Sequence, residues 1–159
     1  MRRYIHTFIS LMAVAFATAI VASCDENTVF DSYEHTPVSG WEKNDTLRYN
    51  VSPLIDSGSF EQIIGIRINR YYPFTSLSLI IDQHIHPGFR HHLDTLECVF
   101  RGKKNLRGEG VSYTQYDFPL RQMDLRRGDS LEITIRHAMK REILPGISDV
   151  GLKMVKTTR

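Results

Sequence analysis

The sequence of 159 residues lacks several signatures that mark enzyme active sites. It has no Gly-rich phosphate loop, no Gly-x-Ser-x-Gly nucleophile elbow and no group of cysteines at metal-ligand spacing. No pair of carboxylates stands out for acid–base chemistry. We therefore expect a protein without enzymatic activity, catalytic residues or cofactors.

The chain also lacks an apolar run long enough to cross a membrane. Its most apolar segment, residues 8–22, covers about 15 residues, whereas a spanning helix needs roughly 20. Two arginines precede this segment and small residues end it. This layout is typical of a secretory signal peptide.

Cysteine is scarce, and one of the two cysteines directly follows the apolar segment. Residues 21–24, "VASC", resemble the lipobox that bacterial lipoprotein signal peptidase reads. The motif predicts a signal peptide over residues 1–23 and acyl chains on Cys24, with an ordinary signal peptide and a free Cys24 as the alternative. Two or more acyl chains on one protein anchor it stably at a membrane. Cys98 would remain alone, so we expect no intramolecular disulfide.

An excess of charge of one sign is missing too. The chain carries 20 basic and 18 acidic residues, and loss of Arg2 and Arg3 with the signal peptide would make these numbers equal. A balanced chain has no basic surface of the kind that binds nucleic acid. We expect a protein attached to a membrane through its lipid and no nucleic-acid partner.

The remaining sequence predicts an all-β domain. Residues 24–40 are polar and without periodicity, which indicates the lipidated cysteine and a tether. In residues 41–159, apolar and polar residues alternate in short runs separated by turn sequences, which predicts one antiparallel β-sandwich of about seven to eight strands. The alternation assigns these side chains to the core: Ile64, Ile66, Ile68, Leu77, Leu79, Ile81, Cys98, Leu131, Ile133 and Ile135. Only residues 137–143, "HAMKREI", suggest a helical turn.

Histidines are concentrated in one segment, residues 84–93, "HIHPGFRHHL". In a hairpin whose two-residue loop is Pro87-Gly88 or Gly88-Phe89, strand parity places His84, His86 and His91 on one face, whereas a loop one residue longer would bring His92 there instead of His91. Three imidazoles are the ligand count of a catalytic zinc site. The same parity turns this face away from the core, so we expect solvent-exposed side chains, with metal binding as the alternative.

Aromatic residues offer a second candidate surface, close to the tether. We predict that Trp41, Tyr71, Tyr72 and Phe74 bind a partner, because aromatic residues concentrate at interface hot spots. Two alternatives stay open. The rings could cap the sandwich core, or they could form stacking platforms for a glycan.

Four blocks of the sequence resemble the gliding-motility lipoprotein family GldH. The similarity extends from about Tyr33 to Lys156, and its most specific parts are the Trp41 segment, the Asn-x-x-Tyr-Pro-Phe block at residues 69–74 and the tail "GISDVGL". The four blocks are "YEHTPVSGWEKNDTLRYNV", "GIRINRYYPFTSLSLIID", "DTLECVF" and "DSLEITIRHAMKREILPGISDVGLKMVK".

This resemblance implies a lipid-anchored, non-enzymatic accessory protein of the gliding motility apparatus and its associated protein secretion machine. Its partners would be other envelope proteins. The resemblance implies no catalytic residues and no metal, and it leaves open whether the anchor lies in the inner or the outer membrane.

Overall fold

The computed structural model describes residues 27–100 and 113–157, which form ten strands. The predicted signal peptide, residues 1–23, and Cys24 lie outside these ranges. No helix within them is long and apolar enough to span a bilayer. The strands are β1 (Thr28–His35), β2 (Trp41–Glu42), β3 (Leu47–Val51), β4 (Gly58–Ile68), β5 (Ser76–His86), β6 (Arg90–Val99), β7 (Thr114–Leu125), β8 (Ser130–His137), β9 (Ile143–Leu144) and β10 (Ile147–Thr157).

Eight strands form two four-stranded antiparallel sheets. The first sheet has the order β1-β10-β4-β7 and the second the order β3-β8-β5-β6, while β2 and β9 pair separately. One cluster of buried side chains, drawn from both sheets, fills the space between them. The prediction of an all-β antiparallel sandwich is confirmed.

The core follows the alternation of the sequence. Ile64, Ile66 and Ile68 on β4 are at most 1% exposed, because every second side chain of a strand points to the same face. The same alternation buries Leu77, Leu79 and Ile81 on β5 and Leu131, Ile133 and Ile135 on β8. The Tyr49 hydroxyl of β3 donates a hydrogen bond to the Val150 carbonyl of β10 at 2.8 Å, so a side chain joins the two sheets.

The polar N-terminal segment is shorter as a tether than predicted. Thr28–His35 forms β1, which pairs with β10 from Thr28↔Val155 to His35↔Asp149. As an edge strand, β1 is held by backbone hydrogen bonds along one side and is mostly half-buried. It therefore has no clean apolar alternation, and the prediction of a tether over residues 24–40 is wrong from Thr28 to His35.

The predicted helical turn at residues 137–143 is wrong as well. His137 ends β8, residues 138–142 are irregular and Ile143 begins β9. A segment of this length is too short to hold a helix without strong packing. Pairing of β9 with Trp41–Glu42 takes its place.

Strand register defines two ends of the sandwich. At the first, which we call the tether end, Thr28 lies with the loop of residues 52–57, the hairpin tip of residues 87–89 and the turn of residues 126–129. At the opposite end, the distal end, β1 finishes at His35. There the chain forms the loops of residues 36–46, 69–75 and 138–142 and the short pair of β2 and β9.

Candidate functional site

The histidine segment forms the hairpin of β5 and β6, in the register predicted for a Pro87-Gly88 loop. His84 lies directly opposite His91. Their imidazole rings stack with centroids 4.7 Å apart and an interplanar angle of 22°. The pair lies on the outer face of the second sheet, as strand parity predicts, and both side chains are about half exposed.

A carboxylate completes this group in place of the third histidine. Oδ1 of Asp82 lies 2.7 Å from Nε2 of His91 and 3.2 Å from Nε2 of His84. His86 is not part of the group, because its ring packs edge-on against Phe89 at the hairpin tip, at a centroid distance of 5.8 Å. The prediction of three clustered imidazoles is corrected to two imidazoles and Asp82.

The group of Asp82, His84 and His91 offers three ligand atoms within 4.8 Å of one another. A carboxylate and two imidazoles are suitable ligands for a divalent transition metal. The side chains are 38–51% exposed, so solvent competes for every ligand.

The aromatic candidates divide into buried and exposed side chains. Trp41 is 0% and Tyr72 1% exposed, Phe74 is half-buried, and Tyr71 is 64% exposed. All four lie at the distal end, so the prediction of an aromatic surface close to the tether is wrong for all of them. The prediction of exposed rings is wrong for Trp41 and Tyr72. The alternative that they cap the core holds for these two, and a glycan could not stack on either ring.

The polar atoms of the buried aromatic side chains are bonded within the protein. Trp41 Nε1 donates to the Asp45 carbonyl at 3.1 Å, and the Tyr72 hydroxyl donates to the Ser76 carbonyl at 2.7 Å. The Trp41 ring also meets His137 edge-on at 5.3 Å. Both residues therefore close the distal end of the core.

Two potentially reactive side chains are held inert by burial. Cys98 is fully buried, as predicted, and burial raises the pKa of its thiol to about 12. Burial lowers the pKa of His137, and the charge of Lys43 lowers it further, while a hydrogen bond to the Trp41 carbonyl at 3.2 Å and the charge of Glu142 raise it in part. The thiol stays protonated and the imidazole neutral at pH 7.

Large apolar side chains are exposed at both ends, and the sequence patterns do not predict most of them. Val38 is fully exposed and Ile143 44% exposed at the distal end, while Ile55 is 80% and Phe89 86% exposed at the tether end. Each stands in or beside a turn instead of a strand that faces the core. Their position in or beside turns is the feature of the sequence that could have predicted their exposure, since turns seldom need large apolar residues.

Comparison with known proteins connects the chain to one family. The sequence profile described as GldH lipoprotein matches residues 28–154. The Gliding motility lipoprotein GldH of Flavobacterium johnsoniae is 27% identical over 146 residues, which cover 87% of this chain and 91% of that protein. A protein of Christiangramia forsetii named Gliding motility lipoprotein GldH homolog is 23% identical over 159 residues, covering 93% of this chain and 96% of that protein.

Among solved structures, the fold is similar to part of a family GH115 4-O-methyl-α-glucuronidase with specificity for decorated arabinogalactans. The TM-score is 0.50 at 14% sequence identity. The matched region covers 86% of this chain and 18% of that enzyme. At this identity the likeness shows the fold alone.

Proposed function

Because the chain belongs to the GldH lipoprotein family, we propose that it is a lipid-anchored envelope component of the gliding motility apparatus that acts through protein contacts and has no enzymatic activity. The family match spans residues 28–154, and the lipobox-like "VASC" stands three residues before that range begins. The names of the relatives, gliding motility lipoproteins, support the assignment to this system.

The observation that carries the proposal of protein contacts is the surface of the distal end. Val38, Tyr71 and Ile143 expose apolar area there, and Arg70 holds the Tyr71 hydroxyl through a hydrogen bond of 2.9 Å. A tyrosine with an exposed ring and an arginine beside it is the composition of an interface hot spot. We therefore assign partner binding to Tyr71 together with Val38 and Ile143 of the same end, and a supporting role in the core to the buried Trp41 and Tyr72.

The anchor is tested by exchange of each cysteine in turn. Cys24→Ser should abolish incorporation of labelled palmitate and release the protein from the membrane fraction, because the acyl chains would have no attachment site. Cys98→Ala is the matched control, since Cys98 is buried in the domain, and it should keep both label and fractionation. Labelling of the Cys24→Ser protein would overturn the proposed anchor.

Protein contacts are tested by photocrosslinking in intact cells. A photoreactive side chain at Tyr71 or Val38 should capture another envelope protein, whereas the same group at Thr95, exposed on β6, serves as the control. Capture that is equal from all three positions, or absent from Tyr71 and Val38, would remove the distal end as the contact surface. Gliding of cells that carry Tyr71→Ala should fall in parallel with crosslinking.

A further inference from the structure

The tether end of the sandwich begins close to the proposed lipid. The Asn27 carbonyl already accepts a hydrogen bond from Lys156 N at 2.8 Å, and Thr28 pairs with Val155 on β10. Only three residue steps separate Asn27 from Cys24. A fully extended chain of that length spans at most about 11 Å. A lipid on Cys24 would therefore keep this end of the domain next to the bilayer.

Hydrogen bonds tie the loops of the tether end to one another. Leu54 N donates to the Asp129 carbonyl at 2.9 Å, and Gly128 N donates to the Leu54 carbonyl at 2.8 Å, which joins the loop of residues 52–57 to the turn of residues 126–129. Arg90, beside the hairpin tip, forms an ion pair with Asp129.

Thr28 and Val29 line a groove together with Ile55. The loops thus form one continuous surface around the start of β1.

Two large apolar side chains project from this surface. Ile55 is 80% and Phe89 86% exposed. Phe89 also has a φ of 49°, in the left-handed region where glycine or asparagine is less strained. The turn itself therefore does not require phenylalanine, and exposure of its ring to water is unfavourable.

The charged groups at this end indicate whether it would bind a bilayer by electrostatic attraction or by apolar insertion. Arg126 and Arg127 are exposed and line a groove with Pro87 and Gly88 of the hairpin tip, and their guanidinium groups suit lipid phosphates. Asp56 and Asp124 are exposed at the same end, so the surface is not strongly cationic. An apolar insertion fits these observations better than an electrostatic attraction does, since interfacial binding grows with buried apolar area.

We infer that the tether end lies on the bilayer, with Ile55 and Phe89 inserted into the lipid interface and Arg126 and Arg127 directed at lipid phosphates. This inference rests on the proposed lipidation of Cys24. In this orientation the strands run away from the membrane. The eight residues of β1 carry the distal end about 24 Å outward, where Tyr71 faces partners.

Fluorescence quenching of single introduced tryptophans tests the orientation. Ile55→Trp, Phe89→Trp and Val38→Trp, each in the full-length lipidated protein, are reconstituted into vesicles of phosphatidylethanolamine and phosphatidylglycerol with brominated acyl chains. Val38→Trp is the matched control, because Val38 is fully exposed at the distal end. Trp41 is the lone native tryptophan and is buried, so the wild-type signal serves as the background.

The orientation predicts that emission from positions 55 and 89 is quenched several-fold more than emission from position 38. Equal quenching at all three positions in vesicle-bound, lipidated protein would overturn the orientation and leave the anchor intact. Mass spectrometry and vesicle flotation of the same samples report the anchor separately. A protein without lipid that fails to float would remove the proposed anchor and this inference together.

Discussion

The two ends of the sandwich close the same core in different ways. At the distal end, Trp41 and Tyr72 are buried and their polar atoms bonded to backbone carbonyls. At the tether end, Leu54 covers the core at 7% exposure, while its neighbour Ile55 and the hairpin residue Phe89 point outward. Packing therefore explains Trp41, Tyr72 and Leu54 but does not explain Ile55 and Phe89, for which we propose a role in membrane contact.

The largest effect we predict comes from an added methyl group at the distal end. Gly146 has a φ of +82°, and a Cβ built on it would lie 2.1 Å from the backbone nitrogen of Tyr72. Backbone cannot move aside as a flexible side chain can. Gly146→Ala should lower the free energy of unfolding by about 3 kcal/mol or more, from left-handed strain and overpacking together.

A glycine at the tether end provides the matched control. Gly128 has a similar φ of +87°, but a Cβ there would meet nothing within 4 Å. Gly128→Ala should cost about 1–2 kcal/mol, the strain of the left-handed conformation alone. Urea denaturation of both variants measures the difference. Equal losses would mean that the distal end is no more tightly packed than the tether end.

A smaller effect should follow from acidification, again through the distal end. Because burial lowers the pKa of His137, the unfolded chain binds this proton more tightly than the folded chain does. Stability is then complete above the unfolded pKa near 6.5 and falls as pH drops below it, by up to about 1.4 kcal/mol per pH unit. Urea denaturation between pH 7 and pH 5 measures this loss.

Replacement of single histidines shows which end of the sandwich causes the loss of stability at low pH. His137→Gln should flatten the pH dependence, because the buried imidazole next to Trp41, Lys43 and Glu142 is gone. His86→Gln, at the hairpin tip of the tether end, removes one histidine as well and should leave the loss in place. The assignment to His137 is wrong if its replacement changes the pH dependence of the free energy of unfolding no more than His86→Gln does.

Much of the fold could be predicted from the sequence because period-two alternation determines which side chains face the core. The buried faces of β4, β5 and β8 follow from it directly. The polar core pair did not: Gln62 Nε2 donates to Gln83 Oε1 between the sheets at 2.8 Å, with both side chains 0% exposed. Pairing of this kind depends on the position of one sheet relative to the other, and the periodicity of a single strand does not predict that position.

The candidate sites were predicted only in part, for the same physical reason. A two-residue loop at either of two positions placed His91 on the face of His84, since hairpin register follows from the loop, and the structure has the register in which the two residues pair. Tyr71 and Tyr72 are adjacent and of the same type, yet one is 64% and the other 1% exposed. Which of them is buried depends on distal-end packing, including the close approach of Gly146 to Tyr72.

The smallest effect we predict concerns the exposed tips of the tether end. Ile55→Ser and Phe89→Ser should change the free energy of unfolding by no more than about 0.5 kcal/mol, because both side chains contact mainly solvent. Leu54→Ala, in the same loop but buried, should cost about 2 kcal/mol or more. If either serine variant is as unstable as Leu54→Ala, the exposed side chain stabilises its loop. Its presence at the surface is then explained without membrane contact.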